Sequence, residues 1–286
     1  MTSHRWETCR RTLEWGARPL VIGILNLTPD SFSDGGIYED PNKGIHRALE
    51  MEAEGADIID IGGESTRPKS SPVSPETEWC RLGPVLEGLH GRLRIPISVD
   101  TSKAEVARRA LAAGAEIVND VSAGEWDSGM WPMVAKTRAG YILMHCQGRP
   151  ATMQDSPQYE DVAGEVSGYL QRRLAEAEAA GIAKSRIVLD PGLGFGKTFE
   201  HNMALLRSFQ LLAKVGRPVL AAASRKSFVK KLGGEEHVQL SSHVIHAYAA
   251  MHGAALWRVH DVATAVAAAK VMAGLNEVSP QTDKVS

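Results

Sequence analysis

The chain reads as a single-domain α/β protein, a (β/α)8 TIM barrel preceded by a short amino-terminal cap or hairpin, and three observations predict it. Eight apolar runs of strand length each lead into a stretch of helical periodicity. The runs are near-continuously apolar instead of alternating, as strands of a parallel sheet covered by helices are. Seven of them end abruptly in a polar residue that a plain scaffold does not need, and an eighth ends just short of one. Right-handed crossovers between parallel strands either build an open doubly wound sheet or close into a barrel, and eight units favour closure. Polar side chains at all eight carboxyl ends then converge on one mouth, which marks an enzyme before any motif is considered.

The composition bounds this reading. Apolar residues make up 43% and charged residues 23% of 286 residues, enough for a large core beneath a hydrophilic surface. Lys and Arg number 32 against 34 Asp and Glu, so the chain lacks the electrostatic footprint of a nucleic-acid or membrane-surface binder, and any anion must be held locally. Cys9, Cys80 and Cys146 have no paired spacing, which argues against a zinc site or disulfide framework and for a reducing, cytoplasmic setting. No secretory signal or membrane span is legible.

Residues 1–19 are expected to form a cap segment, with Trp6 and Trp15 over the amino-terminal mouth, 20–275 the barrel and 276–286 a flexible tail. The first run, 20–25, stops at Asn26. Asp40-Pro41 then opens a helix with Ile45, Ala48, Leu49 and Ala53 on one face, ending near Gly55. The run 57–61 leads into Gly62-Gly63-Glu64-Ser65-Thr66-Arg67, and Ser74-Pro75 opens the second helix in the same way. The run 96–99 stops at Asp100, beyond which Ser102 and Glu105 have the spacing of a capping box. Further runs reach Asn119, His145, Asp190, Ser224-Arg225-Lys226 and Arg258-Val259-His260. Between them Val162, Val166, Tyr169, Leu170 and Leu174 share a helical face, as do Leu240, Val244, Tyr248 and Met251, and Val262, Ala265, Val266 and Ala269; each face is expected to pack on the core.

The strand ends suggest a chemistry. The loop from Pro191 to Thr198 ends in Gly-Lys-Thr, but a P-loop needs glycine where Pro191 stands and a dinucleotide fingerprint needs it where Lys197 stands. Its glycines instead let the backbone pass close to a flat ligand held by Asp190. Asp100 and Asp190 lie across the mouth from each other. They read either as an acid and base pair or as acceptors for the N–H groups of a guanidine-like heterocycle, and Asn119 between them favours the second. Asn26, Thr66, Arg67, Arg258 and His260 gather an anion, and Asn26 is a hard oxygen ligand suited to Mg²⁺ on a diphosphate. His145 reads as a hydrogen-bonded wall residue. Met144 and Phe195 are placed to sandwich an aromatic ring.

Together these blocks resemble the dihydropteroate synthases of folate biosynthesis. GILNLTPDSFSDGG at 23–36, DIIDIGGESTRP at 57–68, SVDTSK at 98–103, IVND at 117–120, LMHCQGRPATMQ at 143–154, LDPGLGFGKT at 189–198, SRKSF at 224–228 and RVHDV at 258–262 carry the likeness in order. The resemblance implies a barrel that joins p-aminobenzoate to 6-hydroxymethyl-7,8-dihydropterin diphosphate, releasing pyrophosphate, with Mg²⁺ as cofactor and a homodimer through outer helices. It implies pterin contacts from Asp100, Asn119, Met144, Asp190, Phe195, Lys226 and Arg258. Asn26, Thr66, Arg67, Arg258 and His260 would hold the diphosphate, with Asn26 on the metal, and Phe32, Arg67, Pro68, Phe195 and Ser227 the p-aminobenzoate. Asp100, Lys226, Arg258 and His260 are the expected catalytic residues. The helix from Ser227 would direct its amino-terminal end at the substrate carboxylate, and loops 27–40 and 62–74 would close over the site.

The chain departs from the usual pattern at Lys69, Cys146 and Lys230. Two rival readings share the pterin site: a pterin-dependent methyltransferase and a non-catalytic pterin-binding protein. SRKSF and STRP, which serve an aromatic acid acceptor, argue against the first.

Overall fold

The computed structural model describes residues 4–28 and 40–277. A closed barrel is built from β3 (Leu20–Asn26), β4 (Ile58–Gly62), β5 (Ile97–Asp100), β6 (Ile117–Asp120), β7 (Gly140–Met144), β8 (Ile187–Asp190), β9 (Val219–Ala221) and β10 (Ala254–Val259). Neighbours pair in parallel, with Ile22 opposite Ile58 and Asp100 opposite Asn119, and Arg258 opposite Ile22 where the barrel closes. These are the eight strands the apolar runs predict.

Side-chain direction divides each strand into two roles. Ile59, Ile61, Val99, Val118, Leu143 and Leu189 point outward into the core shared with the helices. Leu20, Ile22, Ile58, Ile117, Ile142, Val188, Leu220 and Leu256 point inward and fill the lower barrel. The hairpin of β1 (His4–Glu7) and β2 (Thr12–Trp15) seals that end, as expected of the cap, by adding Trp6 and Trp15 to the inner cluster. Trp6 is fully buried, and its indole Nε1 donates to Arg186 O at 2.7 Å, so the plug is bonded as well as packed.

The first helices start where the sequence indicates. Asp40 caps α1 (Pro41–Ala53) by accepting from Asn42 N–H at 2.9 Å, and Ser74 caps α2 (Pro75–Leu89) by accepting from Thr77 N–H at 3.1 Å. The expected capping box of Ser102 and Glu105 does not form. Thr101 Oγ1 accepts from Lys103 N–H, which delays the start of α3 (Ala104–Ala112). Asp127 then accepts from Ala104 N–H at 2.8 Å, and Glu105 turns to Arg108 and Arg109. α4 (Met130–Thr137), α5 (Val162–Ala179), α6 (Phe199–Arg207), α7 (Phe209–Ala213) and α8 (Ser227–Gly233) continue the outer layer.

One helix contradicts its predicted face. In α9 (Val238–Met251) the apolar residues Leu240, Val244, Tyr248 and Met251 are 66%, 60%, 38% and 70% exposed. The buried face carries Ile245 and Ala249 with Ser242, His243 and His246 instead. Hydrogen bonding explains the inversion: Ser242 Oγ accepts from Arg225 N–H and His246 Nε2 accepts from Ala223 N–H, satisfying the backbone of the chain that leaves β9. α10 (Val262–Glu277) follows its prediction, with Val262, Ala265, Val266 and Ala269 buried.

Candidate active site

The inward face of the strands changes character towards the carboxyl ends. Its upper positions are Asn26 on β3, Asp60 and Gly62 on β4, Ser98 and Asp100 on β5, Asn119 on β6, Met144 on β7, Asp190 on β8 and Arg258 on β10. The period of two that fills the base with Ile and Leu thus delivers polar groups to the mouth.

Arg258 organises this layer. Its Nε donates to Asp60 Oδ2 and its Nη2 to Asp100 Oδ2, both at 2.6 Å, and Asn119 Nδ2 donates to the same Asp60 oxygen at 3.0 Å. Burial opposes the charge on Arg258, but Asp60 and Asp100 outweigh it and hold the guanidinium above its usual pKa. Burial also pushes the Asp100 carboxyl up to about 7, with Arg258 pulling it down and Asp60 raising it further. Asp100 Oδ1, Asp60 Oδ1 and Ser98 Oγ are buried without a hydrogen-bond partner. Of these, Asp100 Oδ1 belongs to the residue that ends its strand, where an unpartnered acceptor suits a ligand rich in N–H donors.

The second half of the site comes from the loop after β8. Asp190 Oδ1 accepts from Gly192 N–H at 2.7 Å, and Gly192 has a φ of +65°. A Cβ there would lie 1.9 Å from His145 O, so only glycine allows the loop to cross this closely. Lys226 donates to Leu193 O on this loop and lies 4.6 Å from the centroid of the Phe195 ring. Burial lowers the Lys226 ammonium to about 8 against the pull of Asp190, whose own carboxyl is raised by burial and steadied by Lys226.

His260 stands with Ser224, Nδ1 to Oγ at 2.9 Å. Burial takes it down to about 3, with Arg225, Arg258, Arg67 and Lys226 lowering it further, so the ring of the unliganded site is neutral near pH 7. Arg67 therefore reaches the electrostatic range of this corner although it is exposed, while Thr66 is half-buried and Pro68 exposed. Ser227 is exposed at the start of α8, and Phe32 lies outside the described residues. Loop 62–74 is pinned at its base: Glu64 accepts from Val73 N–H at 2.9 Å and pairs with Lys103 at 2.5 Å, which also holds the buried Glu78 at 2.6 Å. Lys69 has a φ of +66°.

Two residues were missed by reading strand ends alone. Asp60 sits inside an apolar run, and its signal was a lone carboxylate at an inward position of β4. Lys197 is buried, with Nζ 2.9 Å from His145 Nδ1 and 3.0 Å from both Gly192 O and Phe195 O, so it ties the loop to β7. Burial lowers Lys197 to about 7 and His145 to about 2. The histidine is thus a hydrogen-bonded wall, as its place suggested.

Among the described residues, no group of three or more His, Cys, Asp or Glu side chains could hold a metal ion. Asn26 fits a different arrangement. Asn26 ends β3 opposite Gly62, and a Cβ built on Gly62 would lie 3.7 Å from both Asn26 Oδ1 and Asp100 Oδ2, so the amide oxygen and the carboxylate flank the same point of the mouth. One such oxygen, completed by phosphate and water oxygens, is an ordinary Mg²⁺ environment.

A barrel with acceptors, a clamped arginine and a lysine at one mouth belongs with the pterin-binding enzymes, and the model of the family described as "Pterin binding enzyme" matches residues 22–260. The dihydropteroate synthase of Neisseria meningitidis serogroup C is 45% identical over 282 residues, covering 96% of this chain and 99% of that one. The structure of Xanthomonas albilineans dihydropteroate synthase with 4-aminobenzoic acid is 44% identical with a TM-score of 0.90, covering 97% and 100% of the two chains. The same enzyme in complex with 7,8-dihydropteroate is 41% identical with a TM-score of 0.87, covering 96% and 100%. The chain belongs to the dihydropteroate synthases.

Proposed function

We propose that the chain forms 7,8-dihydropteroate by joining the amine of p-aminobenzoate to the exocyclic carbon of 6-hydroxymethyl-7,8-dihydropterin diphosphate, with release of pyrophosphate. One observation carries this reading: the buried Asp100 Oδ1, which has no hydrogen-bond partner, lies beside an arginine anchored by both Asp60 and Asp100, an arrangement that matches the donor-rich edge of a pterin. Asp100, Asn119, Asp190 and Lys226 bind that edge, while Arg258, Met144 and Phe195 contact the faces of the ring. Asn26, Thr66, Arg67 and His260 hold the diphosphate, and Arg67, Pro68, Phe195 and Ser227 receive the aromatic acid, with Phe32 added from the first loop.

The aromatic amine is a weak nucleophile, so the reaction is served by breaking the C–O bond first. Negative charge on Asp100 and Asp190 favours the cation that develops on the pterin, and Arg67 and Arg258 favour the departing pyrophosphate. Bound through Asn26 and the diphosphate oxygens, Mg²⁺ would supply further charge neutralisation to the leaving group. Purified protein given both substrates and Mg²⁺ should release pyrophosphate. Pterin binding without release would leave a non-catalytic binder, and methyl transfer to a corrinoid partner would indicate the methyltransferase reading.

The inverted face of α9 supports a homodimer. Leu240, Val244 and Met251 on α9, with Val271 and Leu275 on α10, form an exposed apolar surface of the kind two copies bury against each other. Sedimentation should find dimers, and Val244→Glu with Met251→Glu should yield monomers; a monomeric parent protein would reject the proposal. No helix among the described residues is long and apolar enough to cross a membrane. The three free cysteines, two of them exposed, support a reducing cytoplasm.

A further inference from the structure

We propose that Asp60 is the positioning residue that decides what the mouth of the barrel reads, by fixing the Asn119 amide as an acceptor and the Arg258 guanidinium as a flat, immobile cation. The inference rests on the pterin site proposed above and goes one shell deeper. Asp60 is fully buried at an inward position of β4. Its Oδ2 receives two donors from different strands, Asn119 Nδ2 at 3.0 Å and Arg258 Nε at 2.6 Å.

Asp60 Oδ2 already accepts from Arg258 Nε, so it meets the Asn119 amide as an acceptor and the amide nitrogen is the atom that faces it. That leaves Asn119 Oδ1 for the ligand, and the amide cannot exchange its two ends without setting oxygen against oxygen. Arg258 is held on two sides, by Asp60 at Nε and by Asp100 at Nη2, which fixes the plane of the group as well as its position. A carboxylate kept in mid-strand with Oδ1 unpartnered is costly for a scaffold, and an apolar residue would fill β4 better. The cost is intelligible if the group exists to orient its two neighbours.

Asp60 also acts on Asp100 through charge. Asp100 faces Arg258, Asp60, Glu78 and Asp120, and Lys226 lies within electrostatic range of it. Removing the negative charge of Asp60 withdraws one of the groups that raise Asp100 and frees Arg258 to pair with Asp100 alone.

The test compares Asp60→Ala with Asp60→Asn by calorimetry of 6-hydroxymethylpterin binding across pH, with KM for p-aminobenzoate as the control. Asp60→Ala frees both neighbours and should weaken the pterin about 10²-fold while KM for p-aminobenzoate stays near that of the parent. Asp60→Asn keeps an acceptor oxygen in place, so it should lose about tenfold or less, and the acid limb of its affinity profile should move to lower pH. A merely structural aspartate would weaken both ligands together, so the split between pterin affinity and KM for p-aminobenzoate is the diagnostic reading. Parent-like pterin affinity in Asp60→Ala, or an unmoved limb in Asp60→Asn, overturns the proposal. Should Asp60→Ala fail to fold, Asp60→Asn decides, and pterin affinity and KM for p-aminobenzoate that fall together in it overturn the proposal. Parent protein that binds no pterin would instead reject the site itself, and parent protein that binds it without releasing pyrophosphate would reject only the reaction.

Discussion

The two mouths of the barrel are built from the same eight strands and solve opposite problems. At the amino-terminal end, Trp6 and Trp15 close over Ile22, Ile58, Ile117 and Val188, burying apolar surface behind a single indole hydrogen bond. At the carboxyl-terminal end, Asp60, Asp100, Asn119, Asp190 and Arg258 occupy inward positions, and two of their polar atoms, Asp60 Oδ1 and Asp100 Oδ1, lack partners. The lower end spends its residues on holding the fold. The upper end gives up stability to keep acceptors and charges aligned for a ligand.

That contrast can be broken most forcefully at the plug. Trp6→Ala should cost about 3–5 kcal/mol in denaturant unfolding, from lost burial and a cavity, while kcat of the folded protein holds. Loss of kcat matching the loss of stability would mean the ends are not separable. The reverse variant is Lys226→Ala, which should lower kcat/KM by about 10² while unfolding changes by no more than about 1 kcal/mol. Wild-type kinetics there would remove Lys226 from the site.

A pH experiment sharpens the same point. Burial raises Asp100 from 3.8 in the unfolded chain to about 7, so between those values the folded protein holds a proton that the unfolded chain releases. Its contribution to stability therefore falls as pH rises through that window. Asp100→Asn should remove this fall, so that its stability relative to the parent grows from about pH 4 to about pH 7; a difference constant with pH would contradict it. The smallest effect is expected beside the site, where Lys69→Gly should relieve the left-handed strain and raise stability by up to about 1 kcal/mol. A clear decrease in the unfolding midpoint would show that the lysine side chain contributes more than its backbone costs.

Strand ends were legible because a polar residue after an apolar run is conspicuous, and Asn26, Asp100, Asn119, Asp190 and Arg258 were found that way. Asp60 was not. It interrupts a run instead of ending one, and its importance lies in contacts with residues 59 and 198 positions away along the chain. Lys197 was read only for the motif it fails to complete, whereas its function is to fasten the loop to His145. The α9 face failed for a related reason. Helical spacing locates an apolar stripe, but which side packs inward was settled by the backbone N–H groups of Ala223 and Arg225, which needed His246 and Ser242.

The amino-acid order alone determined the eight strand-and-helix units, the capped starts of the first two helices and the polar strand ends, because these follow from periodicity and local hydrogen bonding. Only the closed barrel decided which carboxylates grip Arg258, which carboxylate the Asn119 amide meets, and which face of α9 remains outside. Those outcomes depend on burial and on partners from other strands, and a linear pattern encodes neither until closure brings them together.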